Sequence, residues 1–224
     1  MFPNLFSIFD PSTSFFFSLN WFSYMIFIIF LPPLYWMKSS RLIILIYEFI
    51  MFLYNEFKLM LNKTMMSNLI LMLSLMYMII INNLLGLFPY IFVSTSHLVL
   101  TVSFSLTFWL SFNIYGWFNN FYLMFYHLVP VGTPLFLMPF MVLIETISNL
   151  IRPLTLSVRL MANMIAGHLL ITLLSSLGFK VGMVSLILVL LVQFILFLLE
   201  LGVSFIQGYV FVVLMIMYSK EVDD

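Results

Sequence analysis

The ionisable side chains that mark a path through the apolar C-terminal half of this chain are Glu145, Arg159, His168, Glu200 and Glu221, with Asn163 and Gln207 beside them. Arg159 is the hardest to explain as packing. It stands in "SVRLMANMIAGHLL", residues 157 to 170, among leucine, isoleucine and methionine. A guanidinium cannot shed its charge, since its pKa exceeds about 12. Placed at mid-bilayer it costs about 2.5–3.5 kcal/mol on insertion scales, and such residues face a polar cavity or pathway. On a helix, Glu145, Asn149, Arg152, Arg159 and Asn163 step by three, four or seven positions. From Glu145 to Arg159 the angular drift is only about 40°, so the two share a face about 21 Å apart. His168 falls about 180° round from Arg159, and Glu200, Gln207 and Glu221 share a face of a second helix. A string of ionisable groups inside a membrane reads first as a proton relay.

Blander readings compete residue by residue. Glu145 could be an interfacial carboxylate near a helix start, and Glu221, in "SKEVDD", a solvated tail. Arg152 reads as structural, pairing with a carboxylate or capping near Pro153. His168 alone would be a satisfied interior histidine, and Glu200 could neutralise Arg159 in a buried ion pair. Asn163 and Gln207 suit interhelical hydrogen bonding in any case. His97 and His127 lie near loops and are given no role. For Arg159 no bland reading suffices.

Composition states what must hold these groups. Of 224 residues 64% are hydrophobic and 7% charged, with no net charge; a soluble domain needs roughly a quarter charged. The chain is therefore expected to be an all-α integral membrane protein with no nucleic-acid partner. It has no cysteine, which excludes disulfides, thiolate metal sites and iron–sulfur ligation. Its three histidines fall on different segments, so neither a metal site nor a cofactor is expected. The first 37 residues hold no Lys or Arg, unlike a secretory signal or a presequence. Abundant Phe, Ile, Leu, Met and Asn with only two alanines hint at an A/T-rich genome such as an organelle's.

Along the chain, a first transmembrane helix is expected over 15–37, with Trp21 and Trp36 at its ends. In 41–63 the polar residues Arg41, Glu48, Asn55/Glu56 and Lys63 recur every seven or eight positions, as in an amphipathic helix lying on the membrane surface. Spans at 67–88 and 97–117 follow, then a polar loop over 118–133. Two segments of about 40 residues, 135–176 and 182–219, close a single membrane domain of 1–224. Each would reach about 60 Å as a helix, twice the hydrocarbon thickness. No turn-forming stretch divides either one, so the expected arrangement is a hairpin of two long tilted helices. Lys38, Arg41, Lys58 and Lys63 flank the second element, which puts it, by the positive-inside rule, on the matrix or cytoplasmic side. The N-terminus then faces outside and the C-terminus inside.

"PFMVLIETISNLIRPLTLSVRLMANMIAGHLL" followed by "LELGVSFIQGYVFVVL" closely resembles the subunit a family of F-type ATP synthases, in its mitochondrially encoded animal form. The likeness is strongest over 134–221, most specific in R-L-x-A-N-M-x-A-G-H, and extends to "NNLLGLFPY" and "FDPS". It implies a non-catalytic, proton-translocating subunit in the mitochondrial inner membrane. Its partners would be a ring of c subunits, other membrane-sector and peripheral-stalk subunits, protons and the lipid bilayer. Residue by residue, Arg159 matches the arginine facing the ring. His168 and Glu200 match the half-channel open to the intermembrane space, and Glu145 and Glu221 the matrix half-channel. Asn163 and Gln207 match polar residues near the arginine. Met161 departs from the smaller residue expected there, and Phe179-Lys180 puts a charge in the hairpin turn. The rivals are a cofactor-free proton-path or scaffold subunit of a respiratory complex and a small secondary transporter. The first predicts a lysine within a span and the second internal repeats; this chain has neither.

Overall fold

The computed structural model describes residues 5–14, 17–31, 40–61, 63–88, 90–129, 134–178 and 182–223, and among them every regular element is a helix. The α-helices are α1 (Arg41–Met60), α2 (Leu69–Gly86), α3 (Leu98–Asn119), α4 (Phe121–His127), α5 (Met138–Gly178) and α6 (Met183–Asp223). Among the described residues four stretches, Met66–Gly86, Leu98–Asn119, Met138–Gly178 and Ser185–Val222, are long and apolar enough to cross a membrane. The chain is thus the all-α membrane protein its composition requires. Inside lipid only helices and closed barrels satisfy every backbone group. The hydroxyls follow the same rule: Ser157, Ser204 and Ser219 each donate to the carbonyl three residues back, at 2.7–2.8 Å, and so are buried without an outside partner.

α5 and α6 are 41 residues each, about 60 Å of unbroken helix, even though Pro153 lies buried inside α5. They run antiparallel, as three contacts show. A Cβ added at Gly178 would lie 3.8 Å from Val189, and one at Gly167 2.7 Å from Glu200, while Arg152 bonds to Glu221. Residue numbers fall on one helix as they rise on the other.

α2 and α3 back this hairpin. α2 buries Leu69, Met72, Leu75, Met76, Ile79 and Ile80 in a core shared with Phe211, Val212, Met215 and Ile216 of α6. Gly208 permits that approach: a Cβ there would stand 2.5 Å from Ile80 Cγ1. α3 lies against α5, where Phe112 joins Leu156 and Leu160 in the same core. α1 turns Leu53 and Phe57 inward, and Phe57 stacks on Tyr209 of α6 with ring centres 5.9 Å apart. Large apolar side chains on the open side of the hairpin, among them Ile187, Phe194 and Ile206, remain exposed. Such a continuous apolar surface requires lipid or partner subunits.

Two expectations need correction. In place of a long α-helix over 15–37, the described residues form a 12-residue 3₁₀ helix, Leu19–Phe30; residues 15, 16 and 32–39 lie outside the described set. "LNWFSYMIFIIF" is dense in aromatic and β-branched side chains, which lose χ1 freedom in an α-helix. Tertiary contacts hold the segment instead. Ser23 donates to the Phe92 carbonyl at 2.9 Å, and Tyr77 of α2 to the Phe30 carbonyl at 2.8 Å. The second correction is that 118–133 is not all loop. It holds α4, whose Phe121 and Phe125 rings pack on Trp117 at 5.5 and 5.0 Å.

Candidate functional site

The expected site residues fall into three groups along the hairpin. The middle group is Arg159, Asn163 and Gln207. Arg159 and Asn163 are exposed, about 100° and 60° round α5 from the middle of the buried stripe of Leu156, Leu160 and Met164. They line a cavity of about 230 Å³ between α5 and α6, whose other walls include Val203, Ile206, Gln207 and Val210. Among the described residues Arg159 makes no hydrogen bond or ion pair. Both amide atoms of Gln207 are buried with no protein partner. A charged fork therefore stands open in a largely apolar groove.

Glu200 does not neutralise it. Its carboxylate lies against the α5 backbone at Gly167, where the missing side chain makes room, and both of its oxygens are buried without a protein hydrogen bond. Next along α5 is His168, whose Nε2 is likewise buried and unpartnered; its ring meets Phe9 edge-on at 6.3 Å. His168 is thus not a satisfied interior histidine. Gly167 is eight residues from Arg159, about 12 Å along the helix.

In the opposite direction, Arg152 precedes Arg159 by about two turns, or 10.5 Å. Its guanidinium bonds to Glu221, approaches Glu145 at 3.9 Å and lies 5.6 Å from the centre of the Tyr218 ring. Glu221 is accordingly part of α6 and tied to α5, not a loose tail. This group lines a cavity of about 530 Å³ between the hairpin and α3–α4. Among the described residues no hydrogen bond or ion pair joins any of the three groups to another. The arginine separates two polar regions.

A further set escaped sequence reasoning. Asn82 and Asn83 of α2, with Thr95 and His97 beyond it, have buried polar atoms lacking a protein partner. His97 sits 5.1 Å from both the Trp21 and Phe92 rings. The signal was the pair of adjacent amides inside an apolar span. Phe179-Lys180 lies outside the described residues, and Met161 is half-buried on α5.

The model of the family described as "ATP synthase A chain" matches residues 15–220. The chain belongs to that family. It is also similar along its whole length to "ATP synthase subunit a" of Drosophila melanogaster, 51% identical over 224 residues and covering 100% of both chains. The protein of that name from Locusta migratoria is 50% identical over 99% of this chain and 100% of its own. That of Anopheles gambiae is 51% identical over 100% of each. As a member of the ATP synthase A chain family, the chain is a proton-translocating stator subunit of the enzyme's membrane sector, working beside other subunits of the complex. The respiratory-complex and transporter readings lose their footing.

Proposed function

We propose that the three groups are the working parts of two offset half-channels and the barrier between them. In this reading His168 and Glu200 take protons from the intermembrane space, and Glu145 and Glu221 release them to the matrix. Arg159 faces a ring of c subunits, each carrying a carboxyl group, with Asn163 and Gln207 shaping the groove around it. The chain lies in the mitochondrial inner membrane, α1 on the matrix surface, the N-terminus toward the intermembrane space and the C-terminus toward the matrix. It makes no ATP itself and uses no cofactor. Peripheral-stalk subunits hold it still.

A ring carboxyl must be protonated to face lipid, because a bare carboxylate there is too costly. At Arg159 it meets a fixed cation that favours its ionised form. Its proton leaves on one side of the arginine and is replaced from the other. With no hydrogen bond or ion pair joining the two sides among the described residues, a proton crosses only by riding the ring. The observation that carries this reading is the unpaired Arg159 standing between two separate polar groups.

Arg159→Lys and Arg159→Gln test it, made at the equivalent position of a relative that accepts mutations and assayed for proton flux and ATP synthesis in vesicles. Lysine can deprotonate when desolvated, so coupled synthesis falls by roughly a hundredfold or more although the chain still inserts. Glutamine lets a protonated ring carboxyl pass the barrier, so protons leak without driving synthesis. Near-normal coupled synthesis with either variant would make Arg159 a packing residue.

A further inference from the structure

The path described above gives Arg152 no role of its own, yet both of the acids placed on the matrix side meet on it. One nitrogen donates to Glu221 Oε2, the other lies 3.9 Å from Glu145 Oε1, and the Tyr218 ring sits beside the guanidinium. Apart from Tyr218, no other residue of the cavity wall, whether from α3, α4, Leu128 or the hairpin itself, ionises. The cluster is therefore two carboxylates sharing one permanent cation, with formal charge −1. Without the cation, two carboxylates would face each other across a shared cavity with no counter-charge between them. We propose that Arg152 is a positioning residue for proton release. It pins one acid from each long helix to a single point, and its charge lets a proton that has bound there leave again. In that step the O–H bond formed on a carboxylate breaks as the proton passes to matrix water, and the cluster returns to −1.

This rests on placing Glu145 and Glu221 in the matrix half-channel, so the experiment separates the two ideas. Whole ATP synthase of a mutable relative, with R152Q, R152K or E145Q/E221Q equivalents, is reconstituted in vesicles, and proton-driven ATP synthesis per assembled complex is measured against matrix-side pH. R152Q is expected to turn over roughly tenfold slower at neutral matrix pH, the deficit shrinking as that pH rises and draws protons off the acids. R152K, a point charge in place of a fork, lies between R152Q and the parent. An unimpaired E145Q/E221Q would sink the underlying assignment. If E145Q/E221Q is slow while R152Q matches the parent, or R152Q's deficit ignores matrix pH, Arg152 is only a clamp. Should R152Q fail to assemble, R152K decides: a ratio to the parent that stays flat across matrix pH overturns the proposal.

Discussion

Glu200 is placed by a residue that has no side chain. Because Gly167 leaves the α5 backbone bare, the carboxylate of Glu200 can lie against it, one residue before His168 in the chain. Gly167→Ala should still fold, since the end of a glutamate side chain can swing aside. The added methyl, however, would stand only 2.7 Å from Oε1 and push the carboxylate away, so proton-driven turnover should drop several-fold while assembly, followed by native gel, stays normal. Glu200→Gln should slow proton uptake from the outer side; synthesis assayed over a range of outer pH would show no deficit if Glu200 were merely structural. Arg159 could be singled out from the sequence because a permanent cation in an apolar run is a one-dimensional signal. The contact of Glu200 with Gly167 could not, since it joins positions 33 residues apart through helix docking. Arg152 was half legible: its pairing with a carboxylate was expected, its sharing by two was not.

Among the elements, length decided what could be foreseen. α5 and α6 could be anticipated as single long helices because neither 41-residue run contains a turn-forming stretch. The first apolar segment misled for the opposite reason. Hydropathy reports that a segment can be buried, not which backbone hydrogen-bond pattern it takes, and Leu19–Phe30 takes the tighter one. α4 was missed because its seven residues are too few for a periodicity to show. The docking of α2 on α6 turns on Gly208, whose Cβ would meet Ile80. Gly208→Val should therefore lower the stability of the assembled membrane sector by about 1–3 kcal/mol through overpacking. Pairing it with Ile80→Ala should cost less than the sum of the two single changes. Additive losses in thermal denaturation would mean that the helices do not meet there.

For the molecule as a whole, sidedness rests on where the basic residues fall, and the chain offers a direct test because it contains no cysteine. A single cysteine at Lys58, at the end of α1, should react with an impermeant thiol reagent only from the matrix side. One at Asp10, ahead of the first apolar segment, should react only from the other. The reverse pattern would invert the half-channels and exchange the duties of Glu145 and Glu221 with those of His168 and Glu200.

A part that turns pushes back on whatever holds it. If the ring is driven past Arg159, an equal and opposite load falls on that guanidinium at every step. The load does not meet an unsupported rod. On the neighbouring flank of α5, Pro153, Leu156, Ser157, Leu160 and Met164 are buried over the same three turns, with Leu156 and Leu160 in one core with Phe112 of α3, Ile79 of α2 and Val212 of α6. Thrust at the arginine is thus spread sideways into four helices instead of bending one. Elsewhere α5 is far less braced, with Leu143, Ile147, Leu170 and Leu177 all exposed. Within α5, packing is densest beside the charge that must not yield.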